Sequence, residues 1–410
     1  MSLSGTLDDV HAQSTSMPFS RIEIHDDFAS CAANWSRLEA SATTSWYQTR
    51  HWASAWCESV GKASGAHLQI LVAFDATDLP CLLLPLVVVR KGLLYQAQYC
   101  GAKDSNFNLP LFRPQDSWDR ASVRLLLQQA ASQLRPRPDN FALLNQPGQW
   151  DGVVNPLALL ASQASPSFGH RGALQRRSDI LLEGLLSNDH RKKLARKLRR
   201  LQTLGPTQCS FAETSEIIEA AIQAFCAQKA ERLLQMGVAS KAADDTTLDF
   251  LRRLSLPGEQ GEPARMRWAI LTVRDSIVAT YGGGIHRGQF QAMVNSMSLD
   301  PEIARSSPGE CLLNWLVARC CADGLTRFDL GTGEGSYKKS YCPTVEPLFD
   351  AFIPVSVAGF AASNVQRAVL HVKRIIKQNA GLWAAARKIR KLRGSAKNPA
   401  ASNSPAPPQA

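Results

Sequence analysis

Two short stretches of the sequence bring together residue types that could carry chemistry. In residues 328–341 (FDLGTGEGSYKKSY), a glycine-rich loop places the carboxylate of Glu334, the phenol of Tyr337 and the ammonium of Lys338 within five residues. A carboxylate can accept a proton, a phenol can donate one, and an ammonium can stabilise negative charge. The loop directly follows a predicted strand, a common location for functional side chains. The competing interpretation is that each side chain only stabilises the loop.

The second stretch, residues 300–309 (DPEIARSSPG), precedes a predicted helix that begins at Gly309. The first backbone N–H groups of a helix lack partners and lie at the positive end of its dipole, so they attract anions such as pyrophosphate. The alternative is that Pro308-Gly309 only shapes a turn and begins the helix.

Several familiar sites are missing from the sequence. The glycine loop is not G-x-G-x-x-G, because Ser336 occupies the last glycine position, and no Walker loop, G-x-S-x-G or H-E-x-x-H is present. The eight histidines show no metal-ligand spacing, and the ten cysteines include no C-x-x-C. We therefore expect no metal site, and we expect reduced, mostly buried thiols.

The net charge of +11 is concentrated in two segments. Residues 191–200 (RKKLARKLRR) hold seven basic residues, and residues 361–410 hold ten with no Asp or Glu. Either segment could meet phosphate in a cofactor, a lipid headgroup or a nucleic acid.

Strand and helix patterns divide the chain into five predicted regions. Residues 1–20 and 395–410 are expected to be disordered tails, 21–178 and 179–360 to be two domains, and 361–394 to be a basic amphipathic helical segment. In the second domain a helix begins after Ser187 and ends at Gly205-Pro206. A three-stranded meander (266–273, 277–285, 289–299), a helix (309–322) and strands 327–330 and 348–355 complete that domain. The longest apolar run has nine residues, too short to cross a bilayer, and a cytoplasmic location is expected.

The order of these segments resembles the acyltransferases of the GNAT superfamily, and most closely the group assigned to bacterial cellulose and exopolysaccharide biosynthesis. That group shows S-x-x-x-R-x-x-L-x-R on a basic helix, then S-P-G, then a-x-x-G-x-x-x-f-D-f-x-x-G-[DE]-x-x-Y-K. This chain supplies, in that order, Ser187, Arg191, Leu194, Arg196, Ser307, Pro308, Gly309, Gly324, Phe328, Asp329, Gly333, Glu334, Tyr337 and Lys338. The match covers residues 179–350, and the first half is reminiscent of the same group. One departure is Pro308, which stands where many GNAT members have glycine.

The resemblance implies an α/β (α+β) fold of tandem GNAT-like domains, with mixed, largely antiparallel sheets flanked by helices and a degenerate first copy. It implies acetyl-CoA or another acyl-CoA as co-substrate, and direct transfer to an amine or hydroxyl of a saccharide or small molecule. The implied donor site comprises Arg305, Ser306, Ser307, Pro308, Gly309 and Glu310. The reaction site would lie where strands 291–299 and 327–330 splay, with Glu334 as base, Tyr337 as acid or orienting phenol and Lys338 as charge clamp.

Two other functions remain open. Fem-type transferases, also tandem GNAT-like, use aminoacyl-tRNA, and the basic helix 191–200 could contact an RNA backbone. Those enzymes usually carry a coiled-coil insertion, and no long heptad pattern occurs here, so nucleic acid is not the expected partner. The third hypothesis is a non-catalytic scaffold that binds a membrane or an acidic polymer.

Residues 365–393 also suggest peripheral contact with a membrane. Val365, Ala368, Val369, Val372 and Ile376 follow helical spacing among Lys and Arg residues. A basic amphipathic helix can lie on an anionic bilayer. The competing interpretation is that its first part packs on the catalytic domain and the rest is solvated.

Overall fold

The computed structural model describes residues 17–42, 44–237, 244–257, 265–333, 335–379 and 381–385. The described strands of the first half are β1 (Arg21–His25), β2 (His67–Phe74), β3 (Pro80–Lys91), β4 (Leu94–Tyr99), β5 (Leu111–Phe112), β6 (Asn140–Pro147), β7 (Gln149–Trp150), β8 (Val153–Val154), β9 (Gln163–Ala164) and β10 (Gly169–Ala173). The α-helices of this half are α1 (Ala32–Ser41), α2 (Arg50–Trp56) and α3 (Arg120–Gln133).

The second half contains more helix than the first. Its helices are α4 (Ser178–Leu185), α5 (Asn188–Leu204), α6 (Ser215–Gln235), α7 (Asp245–Ser255), α8 (Pro301–Ala304), α9 (Pro308–Ala322), α10 (Ser336–Tyr341) and α11 (Val357–Gln378). Its strands are β11 (Thr207–Phe211), β12 (Met266–Val273), β13 (Ser276–His286), β14 (Gln289–Met297), β15 (Arg327–Thr332), β16 (Thr344–Glu346) and β17 (Leu348–Pro354).

Local signals in the sequence set several of these boundaries. The side chain of Ser187 accepts a hydrogen bond from the backbone N–H of His190, so it caps α5 as expected. The same helix ends at Gly205, whose φ of 148° strongly favours glycine. The three strands β12, β13 and β14 form the expected meander, joined by tight turns.

Two large sheets repeat one pattern of strand and helix. In the part of the chain that the structure describes, one sheet has the order β1-β2-β3-β4-β6-β17-β9, with β5 beside β3, and the other has the order β11-β12-β13-β14-β15-β10-β16. Each is antiparallel except for one parallel pair, β4 with β6 and β14 with β15. A helix, α3 or α9, connects each parallel pair. The expected tandem of mixed, largely antiparallel sheets is therefore confirmed.

Each half of the chain gives a strand to the other half's sheet. Strand β10, which precedes the expected boundary at residue 178, lies between β15 and β16. Strand β17, which the sequence analysis placed in the second domain, pairs instead with β6 and β9. The sequence pattern located this strand but not its partners, because pairing over such a distance leaves no local trace. The first half of the chain therefore contributes β10 to the second sheet, and the second half contributes β17 to the first sheet.

Aromatic side chains of the first half pack on glycines of the second sheet. Trp46 is 1% exposed, and its indole covers Gly284 of β13 so closely that a Cβ there would lie 2.0 Å from Cδ2 of the ring. Phe107 covers Gly169 of β10 in the same way, since a Cβ at residue 169 would lie 2.5 Å from Cε1 of its ring. These glycines therefore make room for the contact between the halves. The other face of the second sheet packs on α9, α5 and α4, where a second apolar core lies.

The ten cysteines are free thiols, and eight of them are buried. Burial raises the pKa of most of these thiols, for example that of Cys226 to about 11. They act as small apolar side chains in the core.

A methyl group at Gly284 should destabilise the protein because it would collide with Trp46. We expect Gly284→Ala to lower the free energy of unfolding by about 1–3 kcal/mol, the usual range for overpacking. Gly184→Ala is the matched control, since Gly184 lies in α4 and a Cβ there meets nothing within 4 Å. That variant should be neutral or slightly stabilising. If urea denaturation shows the same change in the free energy of unfolding for Gly284→Ala and Gly184→Ala, the packing argument is contradicted.

Candidate active site

The strands β14 and β15 pair over a short distance and then separate. Their parallel ladder contains three residue pairs, which are Gln289↔Arg327, Phe290↔Phe328 and Gln291↔Asp329. Beyond Gln291 the register between β13 and β14 shifts, so that Met293 has no partner between Ala292 and Val294. Such a bulge bends and twists a strand, and bulges are common beside active sites. The splay that the family resemblance implied is present, and it frees one edge of each strand.

A side chain from the first half bridges the gap between these strands. The Asn106 amide nitrogen donates to the Ala292 carbonyl oxygen at 3.1 Å, and its Oδ1 accepts from the Thr332 backbone N–H at 3.2 Å. The same nitrogen donates to the Tyr47 hydroxyl at 2.7 Å. Gly331 has a φ of 68°, and a Cβ there would lie 2.3 Å from the Asn106 nitrogen. The amide therefore replaces the ladder hydrogen bonds that β14 and β15 lack at this point.

The predicted anion loop lies at the start of α9. Ser307 has a φ of 47°, and its side chain forms no capping hydrogen bond. The Glu310 N–H donates to the Ser307 carbonyl, whereas Pro308 has no N–H, so Gly309 supplies the free backbone donor of the first turn. The Ser306 hydroxyl is fully buried and has no hydrogen-bond partner in the described structure. The start of α9 therefore combines a hydroxyl donor without a partner in the described structure with the positive end of the helix dipole.

Two other members of the predicted donor set point elsewhere. The Glu310 carboxylate lies 2.8 Å from Nε2 of His190 and 3.1 Å from Nζ of Lys197, both on α5. These contacts neutralise the one acidic side chain of the first turn of α9. The side chain of Arg305 is exposed.

The glycine-rich loop brings Tyr337 to the gap, but the described residues do not include Glu334. The Tyr337 hydroxyl hydrogen-bonds with Tyr281 of β13 and Asn295 of β14, and burial raises the pKa of this phenol. Lys338 donates to the backbone carbonyls of Leu330 at 2.8 Å and Thr332 at 2.7 Å. Burial lowers the pKa of Lys338 to about 8. Tyr337 thus connects α10 to β14, while Lys338 fastens the end of β15.

Sequence reasoning missed two buried polar residues at the last pair of the ladder. Asp329 is 2% exposed and Gln291 is 1% exposed. Oδ1 of Asp329 accepts a hydrogen bond from the backbone N–H of Gly331. Oε1 of Gln291 accepts one from the backbone N–H of Trp46, at 3.2 Å. Asp329 Oδ2 and Gln291 Nε2 have no hydrogen-bond partner among the described residues. A charged residue inside the apolar run Phe328-Asp329-Leu330 was the signal that could have identified the first of them.

Arg171 of β10 anchors the same region from the side. Its guanidinium lies over the Trp150 ring at 3.9 Å and donates to Gln289 Oε1 at 2.9 Å and Asp151 Oδ1 at 3.1 Å. Its Nε is 3.9 Å from Asp329 Oδ2, too far for a hydrogen bond. In the described part of the chain, no group of three or more His, Cys, Asp or Glu could hold a metal ion.

Comparisons with known proteins agree with this geometry. Residues 188–339 match the family profile described as an acetyltransferase (GNAT) domain. A search of the curated proteins finds no relative of this chain. Among solved structures, FemX is similar over 84% of this chain and 99% of its own, with 9% identity and a TM-score of 0.54, which supports the fold.

Two further structures show weaker similarity. The C-terminal domain of a putative lysylphosphatidylglycerol synthetase from Agrobacterium fabrum covers 84% of this chain and 97% of its own, at 12% identity and a TM-score of 0.48. A tandem GNAT protein from the clavulanic acid biosynthesis pathway covers 82% and 98%, at 9% identity and a TM-score of 0.44. The domain match confirms the predicted enzyme class, acyltransferase.

Proposed function

We propose that this protein is an acyl-CoA-dependent acyltransferase, acting most simply with acetyl-CoA, that transfers the acyl group directly to an amine or hydroxyl. The observation that supports this proposal best is the separated pair β14 and β15, with the start of α9 following β14. A gap between two strands exposes backbone hydrogen-bonding groups on both edges. An extended donor with amide groups can use those edges as a third strand would.

The start of α9 suits the pyrophosphate of the donor. The buried Ser306 hydroxyl has no partner among the described residues, and the Gly309 N–H belongs to the first turn of α9, at the positive end of the helix. Glu310 would repel an anion, but His190 and Lys197 bind its carboxylate. Met297 of β14 lies beside Gly309, because a Cβ at residue 309 would be 3.6 Å from the sulfur of Met297. A donor bound at Gly309 can therefore continue along β14 into the gap.

The chemistry requires oxyanion stabilisation and two proton transfers. A nucleophilic amine or hydroxyl attacks the thioester carbonyl, the C–S bond breaks, and the nucleophile loses its proton. Backbone N–H groups on the free edge of β14 are the candidate donors to the oxyanion. We assign Tyr337 as the acid for the leaving thiolate, Lys338 as the clamp on the end of β15, and Glu334 as a candidate base.

The pathway and the acceptor belong to the same proposal. The motif resemblance supports a saccharide or small-molecule acceptor and a role in exopolysaccharide or cellulose biosynthesis. It also supports a cytoplasmic location, with peripheral contact to the inner face of the membrane.

A Fem-type, aminoacyl-tRNA-dependent transferase is the second candidate. The exposed face of α5 favours it, because four side chains there have no partner in the described structure, namely Lys192, Lys193, Arg196 and Arg200. Such a face could contact an RNA backbone. Calorimetric titration with acetyl-CoA separates the two candidates. Micromolar binding supports the first, whereas no binding to acetyl-CoA together with salt-dependent binding to aminoacyl-tRNA supports the second.

Gly309→Asp should weaken acetyl-CoA binding at least about tenfold, because it places a negative charge where the pyrophosphate would lie. Gly184→Asp is the control, since it adds the same side chain to an exposed position of α4. The dissociation constants come from the same calorimetric titration. An unchanged constant in folded Gly309→Asp would contradict the assignment of the donor site.

Tyr337→Phe should lower kcat about a hundredfold with little change in melting temperature, because the variant cannot protonate the thiolate. Tyr341→Phe is the control from the same helix, since its hydroxyl makes one long contact, 3.5 Å to Asn314. Glu334→Gln and Lys338→Met should also lower the rate. Full activity in all three variants would place the reacting groups elsewhere. Release of CoA measures the rate.

An exposed apolar stripe on α11 supports the proposed contact with a membrane. Val365, Val369, Val372 and Ile375 are 63%, 59%, 54% and 49% exposed and lie on one side of the helix. Residues 357–385 contain four Lys or Arg and no acidic residue, which suits an anionic surface. None of the described helices is long and apolar enough to span a membrane. Residues 386–393 of the predicted segment lie outside the described residues.

The double variant Val369→Asp/Val372→Asp should lose flotation with vesicles that contain phosphatidylglycerol, because it breaks the apolar stripe and opposes the lipid charge. Leu93→Asp, at an exposed apolar residue in a turn, is the matched control and should float like the parent. Failure of the parent chain to float would overturn the membrane proposal.

A further inference from the structure

Two buried side chains at the last residue pair of the β14–β15 ladder each carry a polar atom without a hydrogen-bond partner in the described structure. Asp329 and Gln291 are Cα partners across β14 and β15, at the last pair before the strands separate. Their unpaired atoms are Oδ2 of the carboxyl group and Nε2 of the amide. Partners in an adjacent parallel register project from the same face of a sheet. An unpaired acceptor and an unpaired donor therefore belong to side chains on the same face of the sheet, at the point where the ladder ends.

Leaving both atoms unpaired would be costly. A buried polar group without a hydrogen bond costs about 1–3 kcal/mol, and native structures usually satisfy such groups with protein or ordered water. The alternative partner, Arg171 Nε, lies 3.9 Å from Asp329 Oδ2. The second polar atom of each side chain already has a partner: Asp329 Oδ1 accepts from the backbone N–H of Gly331, and Gln291 Oε1 accepts from the backbone N–H of Trp46. The free atoms are therefore held in place for a ligand as small as water.

We propose that Asp329 accepts the proton of the attacking amine or hydroxyl through a water molecule bound between Asp329 Oδ2 and Gln291 Nε2. This inference rests on the proposed acyl transfer. As the nucleophile bonds to the acyl carbon, its N–H or O–H bond breaks and the proton passes to the water. The water gives a proton to Asp329 Oδ2. The electron pair of the C–S bond leaves with the thiolate, which Tyr337 protonates. Asp329 then returns its proton to solvent and the Tyr337 phenolate takes one up from solvent, so that both groups regain their starting states.

The surroundings of Asp329 give it the properties of a base at neutral pH. Burial, with a smaller contribution from Glu346, raises the pKa of Asp329 to about 7, while the hydrogen bond from the Gly331 N–H and the charges of Arg171 and Lys338 oppose this rise. The ionisable groups that face it from neighbouring elements are Arg171 on β10, Glu346 on β16, Lys338 on α10, Tyr47 in the first half and Cys342 after α10. Burial raises the pKa of Tyr47 and of Cys342, so both are neutral. A base with a pKa near 7 is well matched to proton transfer at physiological pH.

In this role Gln291 is a positioning residue, because it holds the water and takes no proton. Asn106 and Tyr47 close the gap from the side of the first half, with Tyr47 2% exposed. Together with the burial of Asp329, these contacts limit access of bulk water to its carboxyl group. The first half of the chain would therefore contribute to the surroundings in which the proton is transferred.

The first test is a measurement of stability against pH, which needs no activity. Asp329 has a higher pKa in the folded than in the unfolded chain, so the folded state binds the proton more tightly. Stability should fall as pH rises from about 4 to about 7, and then level off. Across that window the folding equilibrium constant of the parent should fall about a hundredfold or more relative to that of Asp329→Asn. Glu346→Gln, which removes a neighbouring carboxylate whose pKa burial also raises, should keep most of this fall.

The second test is the pH profile of acyl transfer, with acetyl-CoA as donor and water as the nucleophile that is always present. The kcat/KM of the parent should rise with pH around a midpoint near the pKa of Asp329. Asp329→Asn should lose this midpoint and about a hundredfold in kcat. Glu346→Gln should keep kcat and move the midpoint to lower pH, because the charge of Glu346 raises the pKa of Asp329. Gln291→Leu should lower kcat and keep the midpoint, as expected for a positioning residue. A midpoint retained in Asp329→Asn overturns the proposal.

A high-resolution crystal structure gives the third test. Electron density for a water within hydrogen-bonding distance of both Asp329 Oδ2 and Gln291 Nε2 is expected, and an empty space there overturns the relay. The tests also separate this inference from the proposed function. If acetyl-CoA does not bind, the proposed function fails and the relay fails with it. If acetyl-CoA binds and turns over but Asp329→Asn is unaffected, only the relay fails.

Discussion

The gap between β14 and β15 is the constraint on which the rest of the structure depends. Two parallel strands must pair at one end and separate at the other, although each freed N–H and C=O needs a partner. A bulge at Met293 turns β14 away, and the amide of Asn106 supplies hydrogen bonds to Ala292 and Thr332. Because Asn106 comes so close, residue 331 must be glycine. The gap is therefore a built feature, stabilised by a side chain from outside its own sheet.

Exchange of strands explains how a residue of the first half can reach that gap. Strand β10 pairs with β15, and β17 pairs with β6, so each sheet is closed by a strand from the opposite half. The contact of Trp46 with Gly284 and the hydrogen bond from Arg171 to Gln289 of β14 tie the two halves together in the same region. The first half contains its own parallel pair, β4 with β6, yet it also provides part of the wall of the second half's site. The first half of the chain therefore has a structural role at the site of the second half.

The sequence predicted what local physics decides. Turn residues and side-chain periodicity indicated the meander, the cap at Ser187 and the end of α5 at Gly205, and the glycine loop indicated a site near Tyr337. It did not predict the partners of β17, because long-range pairing leaves no local pattern. Asp329 and Gln291 were missed for a related reason. Each is one of several polar residues in its strand, and only the fold shows that the two are partners across neighbouring strands and carry unpaired atoms.

The basic helix α5 shows why charge in a sequence is a weak guide to a partner. Arg191 pairs with Glu183 and Lys197 pairs with Glu310, so part of the charge of α5 balances acidic groups of the protein. The second pair matters for the donor, because it neutralises the acidic residue in the first turn of α9 and leaves that helix end positive. The part of the basic segment that sequence composition would assign to a polyanion would thus also serve the proposed anion site on a neighbouring helix. This coupling supports the proposal of acyl-CoA as the donor, since it gives the half-buried contact between Lys197 and Glu310 a role at that site.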